Sequence, residues 1–154
     1  INVPQIDGIM TVAFWADLSK VTNPGYFIGS DKVLVTTYAQ GVVFTPLPKT
    51  LNYFLSYPGY TSVVYKPSAG MEHFTFVTYE GSNGFDAYVN GVYYGSAKVG
   101  GVPAKLQVNY IARRKNGEFF KGELGDILLF DRALTAEEVT KLYNESVLKN
   151  GAAW

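Results

Sequence analysis

Between Asn116 and Asn150 the chain runs through a turn, an apolar strand, a corner and one amphipathic helix in immediate succession. Asn116-Gly117 suits a turn with positive φ at both central positions. From Leu124 to Phe130 apolar residues crowd together without polar alternation, the pattern of a strand covered on both faces. Thr135 with Glu138 three residues later has capping-box spacing, and Leu134 and Val139 flank it as a hydrophobic staple. Val139, Leu142, Tyr143 and Val147 then fall on one helical face, and Gly151 is placed to end the helix. This is the only helix the sequence predicts.

The rest of the chain reads as strands. Aromatics make up 16% of the residues, with twelve tyrosines, ten phenylalanines and sixteen glycines, a composition suited to many strands joined by tight turns. Met10 to Asp17 is apolar at both alternating sets of positions, which places it inside a sandwich. Ile1 to Gly8 is expected as a lead-in segment, with Pro4 at a strand edge. Short strands are expected at Tyr26 to Gly29 and Val33 to Ala39, around Ser30-Asp31, and at Val42 to Thr45. Leu51 to Tyr57 and Ser62 to Lys66 form an expected hairpin around Pro58-Gly59. Glu72 to Glu80 and Phe85 to Asn90 form another, turned at Ser82-Asn83-Gly84. Asn90-Gly91 leads into Val92 to Lys98, the clearest hairpin signal. Gly100-Gly101 and Pro103 break the pattern before Lys105 to Ala112. Ten or more short strands followed by one helix predict an all-β, two-sheet antiparallel sandwich.

With 154 residues the chain is expected to form one domain with a real core. The formal net charge of zero, with Lys and Arg scattered, excludes an electrostatic footprint for nucleic acid. No stretch approaches the roughly 20 apolar residues of a membrane-spanning helix. The absence of cysteine removes disulfides, thiol catalysis and cysteine metal sites. Beginning at Ile1 without a basic-then-apolar leader, the chain is expected to be a mature product or a piece cut from, or attached to, something larger.

The closing run GELGDILLFDRALTAEEV, from Gly122 to Val139, resembles the last segment of laminin-G-like, concanavalin-A-like domains. TVAFWA at Thr11 to Ala16 resembles that family's first core strand. HFTFVTYEGSNGFDAYVNGVYYG, from His73 to Gly95, resembles its central hairpins, in which a Y-V-N-G turn recurs. These matches occur in the family's order. The resemblance implies a concanavalin-A-like jelly roll centred on Phe14, Trp15, Leu124, Ile127 and Leu129, with one short C-terminal helix. It leaves function open, because the family includes lectins, carbohydrate-binding modules, glycosidases, adhesive repeats and virion proteins.

Against that background the chemistry-bearing residues can be sorted. A retaining glycosidase needs two carboxyls about 5–5.5 Å apart. Hydrolases of this fold carry them at near-alternate positions of one strand, on one sheet face. No such run occurs here, and Glu123 and Asp126, three apart, are expected on opposite faces. His73, the sole histidine, is expected to hydrogen-bond structurally rather than catalyse. No D-x-D-x-D-G calcium loop is present. A rim calcium site assembled from Asp7, Asp31, Asp86 or Glu118 stays open; no other cofactor is expected. Asn144-Glu145-Ser146 matches the glycosylation pattern but lies in the helix and is read as chance.

Sugar recognition remains. Pyranose rings offer apolar C–H faces to aromatics, while polar side chains fix the hydroxyls. Tyr53, Tyr57 and Tyr60 crowd around the Pro58-Gly59 turn, with Tyr93, Arg113 and Arg114 as further candidate ligand-binding residues. The structural alternative is that these tyrosines fill half-buried strand positions. The expected function is a non-catalytic module recognising a glycan or cell-surface polysaccharide in an extracellular, cell-surface or virion setting. The competing expectation is a structural or protein-interaction domain without a sugar site.

Overall fold

In a computed structural model the structure describes residues 1–35, 38–46, 49–54, 60–78, 82–100, 105–113, 117 and 119–150. Side chains are described for these except 32–35, 38–40, 52–54, 60–61, 82–83, 98–100 and 150. Among the described residues, eleven strands and one helix are arranged as β1 (Asn2–Ile9), β2 (Thr11–Asp17), β3 (Gly25–Val35), β4 (Tyr38–Pro46), β5 (Lys49–Phe54), β6 (Tyr60–Val64), β7 (Glu72–Thr78), β8 (Ser82–Val89), β9 (Val92–Gly100), β10 (Leu106–Ile111), β11 (Glu123–Phe130) and α1 (Ala136–Asn150). They build two antiparallel sheets, one of six strands in the order β1-β10-β3-β4-β5-β6 and one of five in the order β11-β2-β7-β8-β9. The predicted sandwich with a short C-terminal helix is therefore the observed fold.

The core between the sheets follows from the period of two along each strand. Val12, Phe14 and Ala16 of β2, Phe74 and Phe76 of β7, and Phe85 and Ala87 of β8 meet Phe27, Val42, Phe44, Leu51, Leu106 and Val108 of the opposite sheet. Phe14 is the hub, with its ring centroid 4.5 Å from Phe27, 5.7 Å from Phe74 and 5.9 Å from Phe76. Gly41 is required in β4, since a Cβ there would come within 2.5 Å of the Ile28 carbonyl and the Tyr26 ring.

The other face of β2 and β7 is buried too, because α1 lies across it. Cross-strand partners share a face, which puts Trp15 beside His73 and Ala13 beside Thr75 on this outer side. Val77 and Tyr88 pack with Leu134 and Val139 to seat the start of α1. Thr135 and Glu138 form the expected capping box, Glu138 N–H donating to Thr135 Oγ1 (3.2 Å) and Thr135 N–H to Glu138 Oε1 (3.2 Å). Asn90 (φ 51°) and Gly91 (φ 76°) make the two-residue turn between β8 and β9. Gly91 lies against Tyr143, where a Cβ would come within 2.9 Å, and its carbonyl accepts the Thr140 hydroxyl at 2.9 Å.

Several expectations are corrected. Trp15 is not in the inter-sheet core with Phe14 but under α1, because neighbours in a strand point to opposite faces. β11 pairs antiparallel with β2, yet it is an edge strand, half-buried, with Leu128 41% exposed. Its lack of alternation reflects a bulge between Gly125 and Leu128, where Asp126 takes φ 44°. On α1 the buried face continues from Val139, Leu142 and Tyr143 to Ser146, while Val147 and Leu148 are exposed. Ile1 to Gly8 is mostly strand, tolerated with Pro4 at a sheet edge. Ser30-Asp31 does not break β3; it sits in a register shift, with Asp31 N–H donating to Asn109 Oδ1 at 2.9 Å. Ser82 to Gly84 is strand rather than turn.

Candidate ligand-binding rim

The end of β10 is where aromatic, cationic and anionic groups converge at the surface. Ala112, at φ 62°, turns the chain out of the sheet. Its N–H donates to the Phe27 carbonyl (2.8 Å) and its carbonyl accepts the Phe120 N–H (2.9 Å), closing the loop on itself. Phe120 is thereby driven into the core, its centroid 4.9 Å from Phe27. Its neighbour Phe119 is thrown outward, 53% exposed, its backbone bridged to Tyr26.

Arg113 lies between this ring and the last aromatic of β10. Its guanidinium carbon is 5.1 Å from the Phe119 centroid and 5.0 Å from that of Tyr110, a cation–π arrangement that holds the planar fork. The Tyr110 hydroxyl donates to Asp31 Oδ1 at 2.6 Å. That hydrogen bond raises the phenol above its usual range, with burial and the Asp31 charge adding and Arg113 opposing. A polar network continues beside it, Gln107 Nε2 donating to Asn109 Oδ1 at 2.8 Å. The rim thus offers an exposed flat ring, a guanidinium, and oxygen acceptors within one patch.

Among the sequence candidates whose side chains are described, Arg113 and Tyr93 lie apart. Arg113 belongs to this rim. Tyr93 is on β9, the far edge strand of the other sheet, which lies beside β6 rather than β10. There Tyr93 is 54% exposed, packs 5.8 Å from Tyr88 and shares a 2.8 Å hydrogen bond with Ser96. Tyr53 and Tyr60 belong to the paired strands β5 and β6, on the β9 side of the sandwich, and their side chains lie outside those described. Tyr57 and Arg114 lie outside the described residues. Phe119 and Tyr110 escaped the sequence reading. The signal for Phe119 was the Phe119-Phe120 doublet after Asn116-Gly117, since adjacent residues in extended chain face opposite ways.

Other candidates resolve into structural roles. The buried Glu72 accepts hydrogen bonds from the Tyr65 hydroxyl and, at 3.1 Å, from Ser68 N–H, which ties down the 66–71 loop. Asp126 and Glu145 both line a cleft of about 390 Å³ between β11 and α1. The Glu145 side chain is 64% exposed, beside Lys141, so the pair is no buried acid–base dyad. No group of three or more His, Asp or Glu side chains gathers among the described residues. Asp7 is engaged by Gln5 and Asp31 by Tyr110, and Glu118 lies outside the described residues. Among the described residues no helix is long and apolar enough to cross a membrane.

A sequence profile described as the concanavalin A-like lectin/glucanases superfamily matches residues 2–140. The chain belongs to this superfamily. No curated protein matches it in sequence. Among solved structures, it is similar to the receptor-binding domain of botulinum neurotoxin C/D mosaic serotype, with TM-score 0.61 and 14% identity over 92% of this chain and 37% of that one. The binding domain of botulinum neurotoxin DC in complex with SialylT gives TM-score 0.59 at 14% identity, covering 90% of this chain and 35% of that one. Trypanosoma rangeli sialidase gives 0.58 at 12% identity, with 90% and 23% covered. The superfamily member described here therefore spans well under half of each of these chains, and at such identities the likeness is one of fold.

Proposed function

We propose that this domain is a non-catalytic glycan-recognition module and that the rim of Asp31, Tyr110, Arg113 and Phe119 is its binding surface. The observation that carries the reading is the exposed Phe119 ring held beside a ring-stacked guanidinium and a phenol–carboxylate pair. A sugar can lay its C–H face on Phe119 while Arg113 and the Asp31–Tyr110 pair meet hydroxyls or a carboxylate. Rigid aromatic and stacked groups lose little entropy on binding. The toxin binding domain in complex with SialylT supports a glycan as the ligand class, and an acidic one in particular suits Arg113.

The test is a glycan array on the 154-residue chain, with and without calcium. Selective binding that tolerates chelation supports the reading, and an empty array opposes it. Purified protein is expected to release no reducing sugar from β-glucans, galactans or xylans. Release abolished by changing a single Asp or Glu would overturn the non-catalytic reading.

A second reading, a protein-interaction module, rests on the opposite edge. Val92 (69%), Tyr93 (54%), Tyr94 (45%) and Val64 (76%) are exposed where the edge strands β6 and β9 lie side by side. A partner burying about 800 Å² there would favour it.

A further inference from the structure

The two halves of α1 are held by different chemistry. Its first half is seated by an apolar cluster in which Val139 is fully buried. Its second half lies on a semi-polar floor. Trp15 Nε1–H donates to Ser146 Oγ at 2.5 Å, and the Tyr143 ring is 6.0 Å from Trp15 and 5.9 Å from His73. His73, 1% exposed, has its Nδ1 buried without a hydrogen-bond partner among the described residues. Thr75 Oγ1, two residues along the same face of β7, is in the same state. The cleft of about 390 Å³ separates this half of the helix from β11, lined by Asp126, Leu142, Glu145, Ser146 and Lys149 among others.

We propose that the second half of α1, from Tyr143 onward, is an acid-released flap, opened when His73 is protonated beneath it. An imidazolium cannot stay unsolvated in that position, and lifting the helix gives water access to His73, Thr75 and the Trp15 indole. The groups facing His73 decide the sign. From β2 it meets Trp15, from α1 the Tyr143 ring, and from the β8–β9 turn Asn90, whose Oδ1 accepts the His73 backbone N–H at 2.9 Å. From β11 the charge of Asp126 favours protonation, but burial outweighs it and pulls the imidazole down from 6.5 to about 4. The neutral form is thus favoured with the flap closed, and closure is lost progressively as pH falls from 6.5 toward 4. Between pH 7 and pH 4.5 that difference changes the closed-to-open ratio about 50-fold.

Amide hydrogen exchange across this pH range, corrected for intrinsic rates, tests the proposal on the whole chain. Protection at 143–149 is expected to fall about 50-fold relative to 137–142 and to β2 and β7, with the Trp15 indole N–H losing protection in step. In His73→Gln the pH dependence is expected to vanish. Should that variant fail to fold, NMR titration of the sole histidine in the unaltered chain decides: its midpoint must track the loss of protection. Uniform loss across helix and sheets, an unchanged profile in His73→Gln, or a histidine titrating near 6.5 with the helix still protected would each overturn the flap.

Discussion

Phe119 and Phe120 are neighbours with opposite roles, one displayed at the rim and one anchored against Phe27. Trp15 shows the same logic in reverse. Its sequence setting, an apolar strand on both faces, correctly announced burial, 5% exposed, but could not say which face it served. The answer depended on α1, more than a hundred residues away, closing over it through Ser146 and Tyr143. Trp15→Ala is expected to cost about 3–5 kcal/mol, as for a large aromatic leaving a cavity. A urea titration checks this, and a midpoint equal to that of the unaltered protein would show that the helix collapses onto the gap. Arg113 was legible as a candidate because it follows a strand. Its partners were not, since Tyr110 and Phe119 meet it only after Ala112 reverses the chain.

At the scale of elements, local signals held better than long-range ones, with the Ser82-Asn83-Gly84 turn, which is strand, as the exception. The capping box, the staple and the Asn90-Gly91 turn involve residues within a few positions of one another, and all three stand as expected. The bulge in β11 is set by pairing to β2, more than a hundred residues away in the chain, so the sequence carries no local mark of it. Thr135→Ala is expected to destabilise by about 1 kcal/mol, measured by thermal or urea unfolding. Glu138, drawn down to about 2 mainly by its hydrogen bonds from Arg132, adds an acid dependence of its own. Its stabilisation is present above the usual 4.5 and fades from there as pH falls through about 2, mostly below the window in which His73 acts. Thr135→Ala should leave the His73 window in place while lowering stability throughout. A midpoint unchanged by the substitution would mean the box contributes nothing.

For the whole molecule, the closing strand joins the two ends of the chain, Leu124 pairing with Ala16 and Phe130 with Thr11. Truncation before Gly122 is expected to prevent folding, because it strips β2 of a neighbour and its outer face of α1. Cooperative unfolding and dispersed amide resonances in the truncated chain would contradict that. On the proposed function, ligand is held at the β10 rim rather than at the β6–β9 edge or beside α1. Amide and side-chain chemical-shift mapping with the tightest binder from a glycan array addresses it directly. Saturable shifts are expected to concentrate on Asp31, Tyr110, Arg113 and Phe119 and to be abolished in Phe119→Ala while the rest of the spectrum is unchanged. Shifts confined to Tyr93, Tyr94 and Val64, or binding undiminished in Phe119→Ala, would contradict it.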